Sequence, residues 1–214
     1  PWNMAATGML AVNTYDEFLK LVEVIADSYT VKTPENWAEP GIVILVGPSG
    51  CGKSTIATRL LEKTDKLQKL ISYTTQDPTA VEQNKWYNYV SLETFRKMCD
   101  SGEMLQSTMY AGHGYGSKKE DVDEILHRGK RVLTTMDICG AMSLKTNFEN
   151  VVTVYVKRDK RALLKSILEK NSTVDDKVNR IISIDDERNN EDICDHVVPN
   201  TGYDETAESI IKLL

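Results

Sequence analysis

Several things are scarce in this chain, and each scarcity excludes a class of protein. Its four cysteines, Cys51, Cys99, Cys139 and Cys194, form no CxxC pair, and only three histidines accompany them. That spacing is neither a zinc site nor a disulfide framework, and it leads us to expect reduced thiols in a cytoplasmic setting. There is no Lys/Arg-rich run, and the formal net charge is -6, which argues against a sequence-independent grip on nucleic acid. No apolar stretch approaches the roughly 18 residues of a membrane span. The opening Pro1-Trp2-Asn3-Met4 has no basic region leading into an apolar one, so no secretory signal is expected. Internal repeats are also missing.

What is present reads as a globular α/β chain. The 214 residues are 41% hydrophobic and 27% charged, enough for one α/β domain with a short appendage. Residues 1–40 form the appendage: Asn13 can cap a helix over 15–26, whose apolar face holds Phe18, Leu19, Leu21, Val22, Val24 and Ile25. A proline-marked linker follows, from Lys32 to Gly41. The helix either packs on the main domain or forms a homodimer or partner contact. From Ile42 onward, apolar runs alternate with helical stretches. Strands are expected at 42–46, 70–73, 88–90, 131–135, 151–156 and 196–198. Helices are expected at 54–62, 92–101, 118–128, 160–168, 174–189 and 204–213. Such alternation argues for a mostly parallel sheet with helical crossovers.

The strongest local signal is Gly47-Pro48-Ser49-Gly50-Cys51-Gly52-Lys53-Ser54-Thr55, a full match to GxxxxGK[ST]. It sits where that motif must sit, between a strand ending at Val46 and a helix beginning at Ser54. Glycines let the backbone wrap phosphates, with N–H groups and a helix N-terminus facing the anion. Lys53 then reaches the β and γ oxygens, and the Ser54 hydroxyl is placed for Mg²⁺. Cys51 within the loop reads as a small spacer, its oxidation being the sharper alternative. Asp137, just past the apolar run 131–135, is the candidate second Mg²⁺ ligand, against a plain helix cap or a surface aspartate.

With these residues in view, the chain from about Gly41 to Leu214 resembles the guanylate kinase family. The phosphate loop is similar to the family's GPSGxGKST. Ser72-Tyr73-Thr74-Thr75 resembles its S-x-T-T, and Tyr87-x-Tyr89-Val90-Ser91 with Phe95 its Y-x-F-V-S-x-x-x-F. Gly102-Glu103-Met104-Leu105, Gly112-x-x-Tyr115-Gly116-Ser117 and Asp137-x-x-Gly140 resemble three further segments. The resemblance implies a P-loop NTPase fold of nucleoside monophosphate kinase type: a parallel sheet, a small acceptor-binding insertion at about 72–117 and a helical lid at about 168–180. It also implies ATP as phosphoryl donor, Mg²⁺ as cofactor, nucleotides as the bound partners and GMP as the default acceptor. Lys53, Lys170 and Arg180 then take the catalytic positions. Ser72, Glu82, Tyr87, Tyr115 and Ser117 match the family's acceptor residues.

Four acceptor positions depart from it. The family follows S-x-T-T with two arginines that clamp the acceptor phosphate; this chain has Gln76 and Thr79 there. Gln106 replaces the glutamate that accepts from guanine, and Thr135 replaces an aspartate. A bidentate phosphate contact cannot be rebuilt from Gln and Thr; Lys157, Arg158 and Arg161 are the nearest cations that could stand in. In the lid, Lys170 stands for an arginine. The donor side is kept and the acceptor side rewritten, the reverse of the membrane-associated guanylate kinase scaffolds, so a phosphopeptide module fits poorly. Two readings stay open: a phosphoryl transferase with weakened or altered acceptor choice, and a nucleotide-binding regulatory module with little turnover. On either, Lys53→Ala removes Mg·ATP binding in calorimetry while the circular dichroism spectrum stays native; unchanged affinity would dismiss the phosphate-loop reading.

Overall fold

The computed structural model describes residues 41–77, 87–110 and 112–214. The expected helix at 15–26, and with it the partner contact, lies outside the described residues, as do Thr79 and Glu82.

Five strands form the main sheet: β1 (Ile42–Val46), β2 (Leu67–Lys69), β7 (Arg131–Thr135), β8 (Val151–Lys157) and β9 (His196–Pro199). Their order is β2-β7-β1-β8-β9 and every pairing is parallel. β1 is central and buried along its whole length. A strand covered on both faces needs apolar residues at every position rather than alternate ones, and Ile-Val-Ile-Leu-Val supplies them. Val43 and Leu45 face one core with α1 (Lys53–Lys63), α5 (Lys160–Glu169) and α8 (Tyr203–Ile211), while Ile42, Ile44 and Val46 face a second with α3 (Lys119–His127) and α4 (Ile138–Asn147). The fold is thus a parallel sheet between two helical layers, as expected.

A second sheet, β4-β3-β6-β5, is built from β3 (Ser72–Thr74), β4 (Tyr87–Tyr89), β5 (Met104–Tyr110) and β6 (His113–Lys118). β3 and β4 run parallel; the other pairs are antiparallel. Its outer cover is α2 (Leu92–Asp100), capped by Ser91, which accepts from the Thr94 N–H at 3.0 Å. Phe95 of α2 is buried against β6, where a Cβ at Gly114 would lie 2.8 Å from its ring. That close approach explains why β6 reads Gly-Tyr-Gly.

Three expectations need correction. The apolar stretch 70–73 is no single strand: Leu67–Lys69 belongs to the main sheet and Ser72–Thr74 to the second, with Leu70 between them. The helix expected over 174–189 breaks at Ser183, separating α6 (Val174–Ile182) from α7 (Ile184–Arg188). Ser183 Oγ donates to the Arg180 carbonyl at 3.1 Å and to Glu187 Oε1 at 2.9 Å, the local side-chain bonding by which serine competes with a helical ladder. And β5, β6 and α4 were not anticipated at all.

Asp195 ties the last strand into the sheet. It accepts from Lys145 Nζ at 2.6 Å, the Thr153 N–H at 2.7 Å and Thr153 Oγ1 at 2.8 Å, with the Lys145 and Asp195 side chains each 12% exposed. Removing one partner of such a pair strands the other charge. Asp195→Ala is therefore expected to cost about 3 kcal/mol in urea unfolding; a loss under about 1 kcal/mol would show the bridge to be incidental.

Candidate functional site

Parallel strands that start at one edge finish at the other, so their carboxyl ends share a rim. The loops leaving that rim carry the site: Gly47–Thr55 after β1, Met136 and Asp137 after β7, Arg158 after β8 and Asn200 after β9. Together with the second sheet and helices α5, α6 and α7 they enclose a cleft of about 350 Å³.

The phosphate loop owes its shape to its glycines. Gly47, Gly50 and Gly52 have φ of 138°, 83° and 101°, a region that side-chain-bearing residues avoid. Space forbids a Cβ as well: at Gly47 it would lie 2.8 Å from the Val156 carbonyl, and at Gly52 2.7 Å from Asn200 Nδ2 and 2.8 Å from the Tyr203 ring. Asn200 Nδ2 donates to the Cys51 carbonyl at 2.7 Å, and Arg158 Nη1 donates to the Gly50 carbonyl at 2.6 Å and to Ser166 Oγ at 2.9 Å. The loop is therefore braced from behind by two residues that its own motif does not contain. Cys51 is fully buried, and that burial raises its thiol pKa, which keeps it a protonated spacer. Lys53 Nζ folds back on the loop, donating to the Gly47 carbonyl and to the Pro48 carbonyl at 3.2 Å. Ser54 and Thr55 lie in the first turn of α1 and line the cleft, and Ser49, Gly50 and Gly52 line it too, whereas Pro48 and Cys51 shape the loop from outside it.

Asp137 caps α4: its Oδ1 accepts from the Gly140 N–H at 2.7 Å. It also lines the cleft, where burial raises its carboxyl pKa against the opposing pull of the Gly140 N–H and of Lys53. Asp137 is thus a helix cap, one of the alternatives weighed from sequence against a Mg²⁺ ligand, and its place in the cleft is compatible with either use. Among the described residues no three acidic, histidine or cysteine side chains group as a metal cage. Ser54 and Asp137 both line the cleft, and two protein oxygens are the kind of donor set on which Mg²⁺ relies beside phosphate and water.

The second sheet presents a polar face to the same cleft. Period-two geometry puts Gln106 and Thr108 of β5 opposite Ser117 and Tyr115 of β6. Gln106 Nε2 donates to Ser117 Oγ at 3.4 Å, and Ser117 Oγ pairs with Ser72 Oγ at 3.2 Å. Tyr115 OH donates to Gln76 Oε1 at 3.4 Å, and the Tyr87 hydroxyl bonds to the Thr135 side chain. Tyr87 and Tyr115 meet edge to face at 5.7 Å. Burial first, then the neighbouring Tyr87, pushes the Tyr115 phenol up to about 12, so it remains a proton donor at any working pH. Gln106 is 8% exposed, and among the described residues its Oε1 has no hydrogen-bond partner.

Lys170, which ends α5, and Arg180, in the last turn of α6, both line the cleft. Arg180 is 7% exposed and its Nη1 donates to Ser49 Oγ of the phosphate loop at 3.0 Å. The cleft thus gathers Ser72, Gln76, Tyr87, Gln106, Tyr115 and Thr135 with Lys53, Ser54, Asp137, Lys170 and Arg180. Ser117 sits just behind Gln106. Of the three cations considered as substitutes for the missing arginines, Arg158 braces the phosphate loop, Lys157 pairs with Glu191 at 2.7 Å, and Arg161 is exposed.

The guanylate kinase family model matches residues 39–214. The chain belongs to the guanylate kinase family. A guanylate kinase of Paraburkholderia xenovorans is 30% identical over 187 residues, covering 84% of this chain and 83% of that protein. One of Wolbachia pipientis is 31% identical over 181 residues, covering 83% and 90%. The solved guanylate kinase of Anaplasma phagocytophilum shares the fold, with a TM-score of 0.66 over 82% of this chain and 84% of that one at 24% identity.

Sequence reasoning missed Asn200, Glu187, Thr108 and the bracing role of Arg158. The rule that carboxyl ends of parallel strands build the site could have found Arg158 and Asn200, both next to expected strands. Nothing in the local pattern marked Glu187 or Thr108.

A Cβ at Gly52 meets both backbone strain and two packed neighbours, whereas Gly129, with φ 71°, has open space around it. Gly52→Ala is expected to cost about 2 kcal/mol or more, a Tm loss of roughly 4–8 °C, together with most ATP affinity. Gly129→Ala should lose only about 1 kcal/mol and keep its nucleotide. Equal effects at the two positions would contradict the fitted-loop account.

Proposed function

We propose that this member of the guanylate kinase family transfers a phosphoryl group from ATP to a nucleoside monophosphate, with weakened and relaxed choice of acceptor. The observation that carries the reading is the shared cleft: a complete phosphate loop, two lid cations and the polar face of the second sheet line one cavity.

Phosphoryl transfer asks a protein for positioning and for positive charge around the moving group. The N–H groups of Gly50–Ser54 and the α1 N-terminus would hold the donor's β-phosphate. Lys53, now turned to the Gly47 and Pro48 carbonyls, would exchange those neutral acceptors for anionic phosphate oxygens. Arg180, already directed at Ser49, and Lys170 would hold the transferred group from the lid side. Ser54 and Asp137 would hold Mg²⁺, which when bound neutralises the β and γ oxygens. Tyr87, Tyr115, Ser72 and Gln76, with Thr79 and Glu82, would receive the acceptor.

Acceptor selection is where this chain parts from its relatives' pattern. A carboxylate offers two acceptors to the paired N–H groups of guanine; the amide of Gln106 offers one, and its nitrogen is a donor. Thr135 likewise replaces an acceptor with a hydroxyl that can donate. Gln76 in place of a cation removes a charged hydrogen bond worth about 1.5–3 kcal/mol, or at least tenfold in acceptor binding. The same observation favours a second reading, a nucleotide-binding module with little turnover. ADP formation over a panel of nucleoside monophosphates, run beside calorimetric titration of Mg·ATP, separates the two. Turnover with several monophosphates supports the transferase; tight ATP binding without acceptor-stimulated turnover supports the module.

Gln76→Arg, Thr79→Arg and Gln106→Glu combined are expected to raise GMP-dependent turnover at least tenfold and to sharpen preference for GMP over IMP. A native chain that already phosphorylates GMP with a sub-millimolar KM and strong base preference would contradict the rewritten acceptor site.

A further inference from the structure

We propose that Asp176 is a positioning residue for Arg180: its carboxylate fixes the direction of the guanidinium toward the phosphate loop, and Lys170 reports the charge it places there. For its kinetic part this inference rests on the phosphoryl-transfer reading above.

The geometry is that of a built contact. Asp176 stands one helical turn before Arg180, and Arg180 Nε donates to its two oxygens at 2.8 and 2.9 Å. Both side chains are withdrawn from solvent, at 8% exposure for Arg180 and 10% for Asp176. With Nε held, the guanidinium plane is set, and Nη1 is delivered to Ser49 Oγ at 3.0 Å. An arginine reached only through its flexible stem would pay rotamer entropy for that aim; here the ion pair has already fixed it. The first turn of α6 is also a favourable place for a carboxylate, because helix N-termini stabilise negative charge, and Thr173 caps that turn by accepting from the Asp176 N–H at 3.2 Å.

Charge makes the second half of the argument. The described cations lining the cleft are Lys53, Arg158, Lys170 and Arg180. Burial first, then Arg180 and Lys53, pulls the Lys170 ammonium below the ordinary lysine range, while Asp176 pulls the other way. Asp176 itself is held below the usual carboxylate range: burial pulls it up, but the hydrogen bond and charge of Arg180 and the nearby Lys170 outweigh that. Of the remaining charges, Glu187 lines the cleft through α7, and Glu169 and Lys165 pair with each other at 3.8 Å on α5. Neutralising Asp176 leaves Lys170 facing cations with less opposition, so its proton is lost at lower pH.

The test uses the full chain with Asp176→Asn and Asp176→Glu. Nucleotide-free protein carrying ¹³C-labelled lysine is titrated by NMR, with Lys170→Arg assigning the resonance, and kcat and ATP KM are measured across pH. Asp176→Asn is expected to move the Lys170 titration down by about half a pH unit or more. It should lower kcat about tenfold with ATP KM changed less than about threefold, and shift the basic limb of kcat downward in step. Asp176→Glu, which keeps the charge, should return all three toward native values. An unmoved Lys170 titration, or a Glu variant as impaired as the Asn variant, overturns the proposal. Should Asp176→Asn fail to fold, the Glu variant decides alone: a native-like titration and a kcat within about twofold are required. If the native chain turns over no acceptor, the transferase reading falls, while the lysine titration still decides the role of Asp176.

Discussion

Cationic side chains and the N-terminus of α1 gather at the rim where the parallel strands end, and the rest of the structure depends on holding that positive charge in place. Lys53, Arg158, Lys170 and Arg180 line the cleft together with the start of α1. The counterweights are all local. Lys53 is absorbed by the Gly47 and Pro48 carbonyls, Arg158 by Gly50 and Ser166, Arg180 by Asp176 and Ser49. Lys53 and Arg158 are answered by neutral acceptors, whereas Arg180 is held by the full charge of a carboxylate, the stronger kind of contact.

The opposite wall of the cleft follows a different logic. Its polar face is made of hydroxyls and amides arranged in pairs: Ser72 with Ser117, Gln106 with Ser117, Tyr115 with Gln76, Tyr87 with Thr135. Such groups donate or accept as the ligand requires, so they orient a bound molecule without demanding one pattern of hydrogens. Charge is what fixes selection in a low-dielectric pocket, and on this wall the positions at 76, 106 and 135 carry none. The charged groups of the cleft and its uncharged polar wall are thus supplied by separate elements of one chain.

How much of this could be read from sequence varied with the length and the strength of each pattern. β1 was legible as an unbroken apolar run and β7 and β8 as β-branched, mostly apolar runs between helical stretches, and the phosphate loop because its glycines are dictated by backbone geometry. β5 and β6 were not, since Met-Leu-Gln-Ser-Thr-Met-Tyr and His-Gly-Tyr-Gly-Ser-Lys spend their alternate positions on the cleft rather than on a core. α4 was hidden by a glycine and by apolar residues on nearly every side. The break at Ser183 depends on hydrogen bonds to Arg180 and Glu187 that only the folded chain defines. The catalytic-side residues came through the family resemblance, but the bracing of the loop by Arg158 and Asn200 needed the tertiary structure, because both partners are more than a hundred residues away from it in the chain.

The central claim is that one cleft receives donor and acceptor together. The most direct measurement is calorimetric binding of a bisubstrate compound, adenosine joined to guanosine through five phosphates, against ATP alone in the presence of Mg²⁺. Joining two occupants of adjoining sites makes the second contact intramolecular, so the account predicts one molecule per chain and binding at least about tenfold tighter than ATP. Binding no tighter than ATP itself would mean that the polar wall receives no acceptor nucleotide, and the account of the cleft as a transfer site would be wrong.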